Sequence, residues 1–175
     1  MREATLIVIR KPHQGDNVID NLVYYTVGSV FAEPEEILTN HIRNDYDLDH
    51  MIEDFYSAQA PYNMKEHRRM FHFILTTRAS KEMCRILEES AYALQEYFAT
   101  TGHQAVLVPH EGSKKNALNY HYHVIVNPIS YITGMRMQDQ FGTYEAIVDY
   151  LNHHTYASWC WKYYSDKGIN VNNYY

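Results

Sequence analysis

The stretch Tyr120-His121-Tyr122-His123-Val124-Ile125-Val126 decides how the middle of the chain folds. Its aromatic and β-branched residues favour a β-strand. Because successive side chains of a strand point to opposite faces, His121 and His123 share one face of the predicted sheet. Two imidazoles one residue apart on a rigid strand are aligned to bind the same metal ion, so this pair is the first candidate for a functional site.

A third imidazole is expected beside this pair. Residues 104–108 form another apolar run, and His110 follows it just before a polar loop. An antiparallel return through that loop brings His110 next to His121 without a large loop-closure cost. Three imidazole ligands leave coordination positions open for a substrate, which is typical of a catalytic rather than a structural metal site. His72, on an earlier predicted strand, is a rival or accessory ligand.

The other periodic patterns predict strands and helices around these two segments. Strands are predicted at residues 5–9, 70–75, 104–108 and 120–126, and a hairpin or turn with a short strand is predicted around Gly134. Helices are predicted after Asp16, after Ser80 up to Gly102, and over residues 143–153, while residues 33–66 are expected to form an exposed excursion with one or two short helices. This order predicts an α+β fold with a mainly antiparallel sheet.

Composition and charge exclude several classes of protein. The 175 residues carry 15 Lys+Arg and 21 Asp+Glu, a net charge of −6, which argues against a nonspecific polyanion binder. Residues 33–54 hold −7 of this charge, so the remaining 153 residues sum to +1 and leave room for a modest basic face. No apolar run approaches the roughly 20 residues of a membrane span, and we see no signal peptide. With two cysteines and no disulfide framework, a cytoplasmic location is expected.

The sequence around the histidine pair resembles a known family. The segment His121-Tyr122-His123-Val124-Ile125-Val126-Asn127 is similar to the His-x-His-x-hydrophobic-x-Asn motif of plasmid mobilization relaxases, which are HUH single-strand endonucleases. His110 precedes His121 by 11 residues, a separation found in three-histidine relaxases. Looser similarities cover most of the chain, and residues 160–171 resemble the family's final helix with the segment that follows it.

The resemblance implies a single nuclease domain over residues 1–175, with a five-stranded, mainly antiparallel sheet flanked by helices. It also implies the reaction, in which a tyrosine attacks single-stranded DNA at an origin of transfer and becomes linked to the 5′ phosphate. His110, His121 and His123 would hold a divalent ion, Mg²⁺ or Mn²⁺ in the cell, although Zn²⁺, Co²⁺ or Ni²⁺ would also fit three imidazoles in vitro. Accessory mobilization proteins become candidate partners.

The resemblance also implies that the nucleophile lies on the helix after the first strand, where Tyr24 and Tyr25 are adjacent. Aligning the apolar positions of this helix with the family's buried face puts Tyr25 at the catalytic position, and a slip of one residue would give Tyr24; the aligned positions are Ile19, Leu22, Val23 and Thr26. Lys114 and Lys115, in the loop between the histidine ligands, are candidate contacts to DNA phosphates.

Three other interpretations stay open. A rolling-circle replication initiator or transposase of the same superfamily would use a late tyrosine, and Tyr164 fits a Tyr-x-x-Lys pattern with Lys167. A non-catalytic protein that has kept the fold would bind single-stranded DNA by stacking bases on tyrosines. A metal-dependent hydrolase of small molecules would not bind nucleic acid.

Overall fold

The computed structural model describes residues 3–9, 16–28, 36–43, 46–64, 67–77, 81–110, 120–165 and 168–170. Seven strands and four helices follow one another along this part of the chain. They are β1 (Glu3–Ile9), α1 (Val18–Thr26), β2 (Leu38–Asn40), α2 (Leu48–Gln59), β3 (Phe71–Thr77), α3 (Lys81–Thr101), β4 (His103–His110), β5 (His121–Ser130), α4 (Phe141–His154), β6 (Ser158–Ser165) and β7 (Gly168–Asn170).

All seven strands belong to one sheet, in the order β2-β4-β5-β3-β1-β6-β7. The pairing of β1 with β6 is parallel, and the other five pairings are antiparallel. The α+β class and the mainly antiparallel sheet are therefore confirmed. The expected count of five strands is wrong, because β2 extends one edge of the sheet and β6 with β7 extends the other.

The sheet carries a hydrophobic core on each face. On one face α3 and α4 pack against residues such as Leu6, Phe73 and Val124. On the other face α1 and α2 pack against Val106 and Ile125. Because strand side chains alternate, His121 and His123 lie on the same face as Ile125, which is the face covered by α1 and α2.

Helix α1 has the predicted apolar face, since Ile19, Leu22, Val23 and Thr26 are all buried. Its predicted cap is wrong, because Asn17, not Asp16, is the N-cap residue, and no side chain caps the first turn. Ser80, the predicted cap of α3, lies outside the described residues. At the other end of α3, Gly102 has the expected left-handed backbone, with φ +77°.

Two segments differ from the expected structure. The excursion predicted at residues 33–66 contains β2 and α2, and α2 is anchored rather than exposed because Met51, Ile52 and Phe55 are buried in the second core. The tail predicted as a final helix forms β6 instead. Its aromatic residues recur with a period of two, so Trp159 packs in the core beside α4 while Tyr164, on the opposite face, is exposed.

The strand β5 continues past Pro128, where it was expected to close. Proline has no N–H to donate, and the pairing of β4 with β5 shifts register at this point, between His103 and Ala105. The predicted hairpin follows, with a bridge between Ile129 and Arg136. The predicted helix over residues 143–153 is confirmed as α4. No helix within the described residues is long and apolar enough to cross a membrane.

Candidate metal centre and nucleophile

The structure brings His110, His121 and His123 together at one end of the sheet. The register of β4 against β5 places His110 directly opposite His121, and His123 lies one pleat further on the same face. One nitrogen from each ring lies within 4.8 Å of the others. The Nε2 atoms of His121 and His123 are 3.2 Å apart, and two nitrogens bound about 2.1 Å from one ion are about 3.0–3.4 Å apart. The three side chains therefore fit a divalent cation with small adjustments.

The local environment keeps two of these imidazoles neutral, which is the form that binds metals. Burial, together with the neighbouring His72, His110 and His121 rings, lowers the pKa of His123 to about 2. Burial also lowers the pKa of His110, although its hydrogen bond to the Thr26 carbonyl opposes this effect. The lone pairs of these rings are thus available to a cation at neutral pH.

Hydrogen bonds behind the cluster fix the orientation of two rings. The Nε2 atom of His110 lies 2.8 Å from the carbonyl oxygen of Thr26. Because a carbonyl can only accept, Nε2 carries the hydrogen and the lone pair of His110 is on Nδ1. Behind His123, the Nδ1 atom lies 2.6 Å from Nε2 of His72. His123 coordinates through Nε2 only if Nδ1 donates to His72.

His72 therefore occupies a different place from the one expected. The sequence predicted it as a rival or accessory ligand, but it is not one of the three histidines whose ring nitrogens form the cluster. It is buried, and its ring stacks on that of His123 with 4.9 Å between the centroids. The signal for this position was the alternation along β3, which places His72 on the same face as the histidine pair.

Tyr25 faces the histidines, whereas Tyr24 contacts α2. The ring of Tyr25 is edge-on to His123, with 5.5 Å between the centroids, and also edge-on to His72, at 6.2 Å. The hydroxyl of Tyr24 donates to Asp49 at 2.8 Å. This hydrogen bond and the charge of Asp49 raise the pKa of Tyr24. Both side chains are exposed, 57% for Tyr25 and 50% for Tyr24, so neither is sealed in the core.

The remaining predicted site residues lie elsewhere. Tyr164 is on β6, and three strand spacings of about 4.8 Å separate β6 from β5. Lys167, the other half of its motif, is outside the described residues. Lys114 and Lys115 are also outside the described residues, so their contact with DNA stays a prediction.

Comparison with known families supports the resemblance found in the sequence. The family described as relaxase, MobA/VirD2-like, nuclease domain matches residues 30–155, which is more than half of the chain. The chain belongs to this family. Neither the curated proteins nor the solved structures gave a match.

Membership makes this chain a relaxase nuclease domain of the HUH superfamily, a class that nicks single-stranded DNA during mobilization. The matched residues include all three clustered histidines. They begin after α1, so the family match carries no information about Tyr24 and Tyr25.

The motif asparagine of this relaxase has a structural place that the sequence did not predict. Asn127 is fully buried, and its side chain lies between Gln104 on β4 and Gln59 on α2. Its Nδ2 donates to Gln104 at 2.8 Å, and its Oδ1 accepts from Gln59 and from the backbone of Ile129. The asparagine therefore fastens α2 to the sheet rather than contacting the histidines.

Proposed function

We propose that this relaxase nicks and rejoins single-stranded DNA at an origin of transfer, with Tyr25 as the nucleophile and His110, His121 and His123 as the metal ligands. The observation that carries the proposal is the meeting of three imidazoles with an exposed phenol on one face of the sheet. Family membership supports the nicking of single-stranded DNA, and the finer assignments are ours.

The contacts of the two adjacent tyrosines favour Tyr25. Its ring lies against His123, so its phenol belongs to the surroundings of the proposed metal site. Tyr24 donates to Asp49, and a phenol whose pKa is raised by a carboxylate is a poorer source of phenolate. Tyr164 is three strands from β5, which favours an early rather than a late nucleophile.

The chemistry requires one phosphoryl transfer to the phenol. The oxygen of Tyr25 bonds to the scissile phosphorus as the bond between phosphorus and the 3′ oxygen breaks. The phenol loses one proton and the 3′ oxygen takes one up, so the step leaves a 5′-phosphotyrosine and a free 3′ hydroxyl. Because the phosphotyrosine remains an ester, the reverse transfer rejoins the strand without ATP.

The three histidines would hold a divalent cation, which relaxases generally use, and we propose Mg²⁺ or Mn²⁺. When bound, such an ion supplies positive charge that polarises a phosphate and offsets the charge of the transition state. The protein's own part is to keep His110 and His123 neutral by burying them, and to orient them through the Thr26 carbonyl and His72.

A covalent capture assay with DNA of random sequence tests the nucleophile. A 3′-labelled library of random single-stranded oligonucleotides is incubated with the protein and Mn²⁺, and labelled protein is sought on a denaturing gel. The wild type, Tyr24→Phe and Tyr164→Phe are expected to retain label, whereas Tyr25→Phe loses it. Label that persists in Tyr25→Phe, or disappears only in Tyr164→Phe, would transfer the role to another tyrosine and favour the replication-initiator interpretation.

A further inference from the structure

The face of the sheet that carries the histidines continues across β3, β1 and β6. Register pairs join His123 to Ile74, Ile74 to Ile7, and Ile7 to Lys162 in one row across the four strands. In the neighbouring row, His121 leads through Thr76 and Thr5 to Cys160. We call the part of these rows on β3, β1 and β6 the lateral face.

Helices α1 and α2 do not extend their core over this region. Among the described residues, the second hydrophobic core takes strand members from β4 and β5 but none from β3, β1 or β6. On the lateral face Thr5, Ile74, Thr76 and Lys162 are partly exposed, Cys160 is exposed, and only Ile7 is buried. A strand of DNA that reaches the histidine cluster can therefore continue over the lateral face without displacing a described helix.

The distribution of charged side chains also favours a DNA path over the lateral face. The surfaces of α1 and α2 carry carboxylates, including Asp20, Asp49 and Glu53, which repel a polyanion. At the far end of the lateral face, within the described residues, the ammonium of Lys162 has neither a carboxylate partner nor a hydrogen bond. Two residues later on the same face of β6, Tyr164 is 48% exposed. A cation beside an exposed aromatic ring is the pairing that single-stranded DNA uses, phosphate on the one and base on the other.

We propose that single-stranded DNA leaves the Tyr25 site across the lateral face, with Lys162 contacting a phosphate and Tyr164 stacking a base. This inference rests on the proposed function for its ligand. It gives Tyr164 a binding role in place of the nucleophilic one. The three strand spacings from β5 to β6, about 14 Å in total, are a length that a few nucleotides span.

Binding of a labelled 12-residue oligothymidine in EDTA and low salt tests the two contacts without cleavage. Lys162→Ala and Lys162→Gln are expected to reduce the magnitude of the slope of log affinity against log salt by about 0.7, the value for one contact to a single strand. Tyr164→Ala is expected to weaken binding by about 5-fold to 100-fold, and Tyr164→Phe to leave it unchanged. Matched controls on α3, over the opposite face, are Tyr92→Ala and Arg85→Ala, which should bind like the wild type.

The two cysteines of the wild type give a second measurement that needs no variant. Cys160 is exposed at the end of the lateral face, whereas Cys84 lies on α3. Saturating oligothymidine is expected to slow alkylation of Cys160 by iodoacetamide and to leave Cys84 unaffected. Unchanged alkylation of Cys160, or equal losses of affinity in the α3 controls, would overturn the lateral face as the DNA path.

The outcomes separate this inference from the nuclease assignment. If Tyr25 forms a covalent adduct while the Lys162 and Tyr164 variants bind like the wild type, the nuclease stands and the lateral face fails. If those variants lose affinity and Cys160 is protected but no tyrosine captures DNA, the binding surface stands and the nuclease fails.

Discussion

The hydrogen bond between His123 and His72 gives a quantitative prediction about metal affinity. Replacing His72 with leucine keeps a side chain of similar volume but removes the acceptor that lies 2.6 Å from Nδ1 of His123. In the metal-free protein His123 is able to move its hydrogen to Nε2. Coordination through Nε2 forces the hydrogen onto Nδ1, where His72→Leu leaves it no acceptor.

The magnitude follows from the cost of that unpaired group. A buried N–H without a partner costs about 1–3 kcal/mol, and this cost is added to the metal-bound state. Removing partners of metal-ligating histidines typically weakens metal binding by about 10-fold to 100-fold, which is about 1.4–2.7 kcal/mol. The two ranges agree, so we expect the dissociation constant of Mn²⁺ or Co²⁺ to rise by about 10-fold to 100-fold.

Isothermal titration calorimetry with the wild type and three variants is the assay. His72→Gln, whose amide oxygen accepts a hydrogen bond, is expected to recover part of the affinity that His72→Leu loses. His103→Leu is the matched control, since His103 is also buried and bonds the carbonyl of Asn127 at the opposite end of β4 from His110. Wild-type affinity in His72→Leu, or an equal loss in His103→Leu, would refute the orienting role of His72.

Three further predictions concern Tyr24, the buried side chain of Asn127 and two glycines. Asp49→Asn is expected to lower the pKa of Tyr24, because it weakens the hydrogen bond to the carboxylate and removes the negative charge, and both raise this pKa. NMR titration of tyrosines labelled with ¹³C at Cζ measures the pKa, and an unchanged value would contradict the prediction. Asn127→Ala should destabilise the fold by about 2–4 kcal/mol in urea unfolding, because it removes the donor to the side-chain oxygen of Gln104 and the acceptor of the buried Ile129 N–H; a loss below about 1 kcal/mol would contradict it. Gly102→Ala should lower the free energy of unfolding by at least about 1–2 kcal/mol, because φ is +77° and the added carbon would lie 2.6 Å from a side-chain oxygen. Gly142→Ala is the control, since open space surrounds this glycine, and it should leave the protein as stable as the wild type or more stable in thermal unfolding.

The histidine arrangement was predictable because it depends on local geometry. The period of two in a strand places His121 and His123 on one face whatever the rest of the fold, and a short antiparallel connection brings His110 beside them. The structure confirms this convergence, while the ligand roles stay predictions. The hydrogen bond of His72 was not predictable in the same way, because it joins residues 51 positions apart and depends on the register of β3 against β5.

The errors in the fold come from non-local pairing and from a misread period. β6 pairs with β1 across more than 150 residues, and the local sequence pattern of neither strand predicts which strand it pairs with. The alternation of Trp159, Cys160, Trp161 and Lys162 was itself a strand signal, which the resemblance to a final helix overrode. The acidic residues of α2 led to the prediction of an exposed segment, although the other face of this helix is apolar and buried.

The proposed nucleophile and one proposed metal ligand are connected through one backbone carbonyl. Tyr25 immediately precedes Thr26, whose carbonyl oxygen accepts from Nε2 of His110 at 2.8 Å. Thr26 is fully buried and its hydroxyl donates to the carbonyl of Leu22, so this last turn of α1 is fixed against the sheet. Because the same hydrogen bond that orients His110 also holds the backbone beside Tyr25, displacing the end of α1 would disturb the phenol and the ligand together. We therefore expect changes in the core of α1, such as Leu22→Ala, to weaken metal binding and adduct formation in parallel, and loss of one without the other would show that the two are positioned independently.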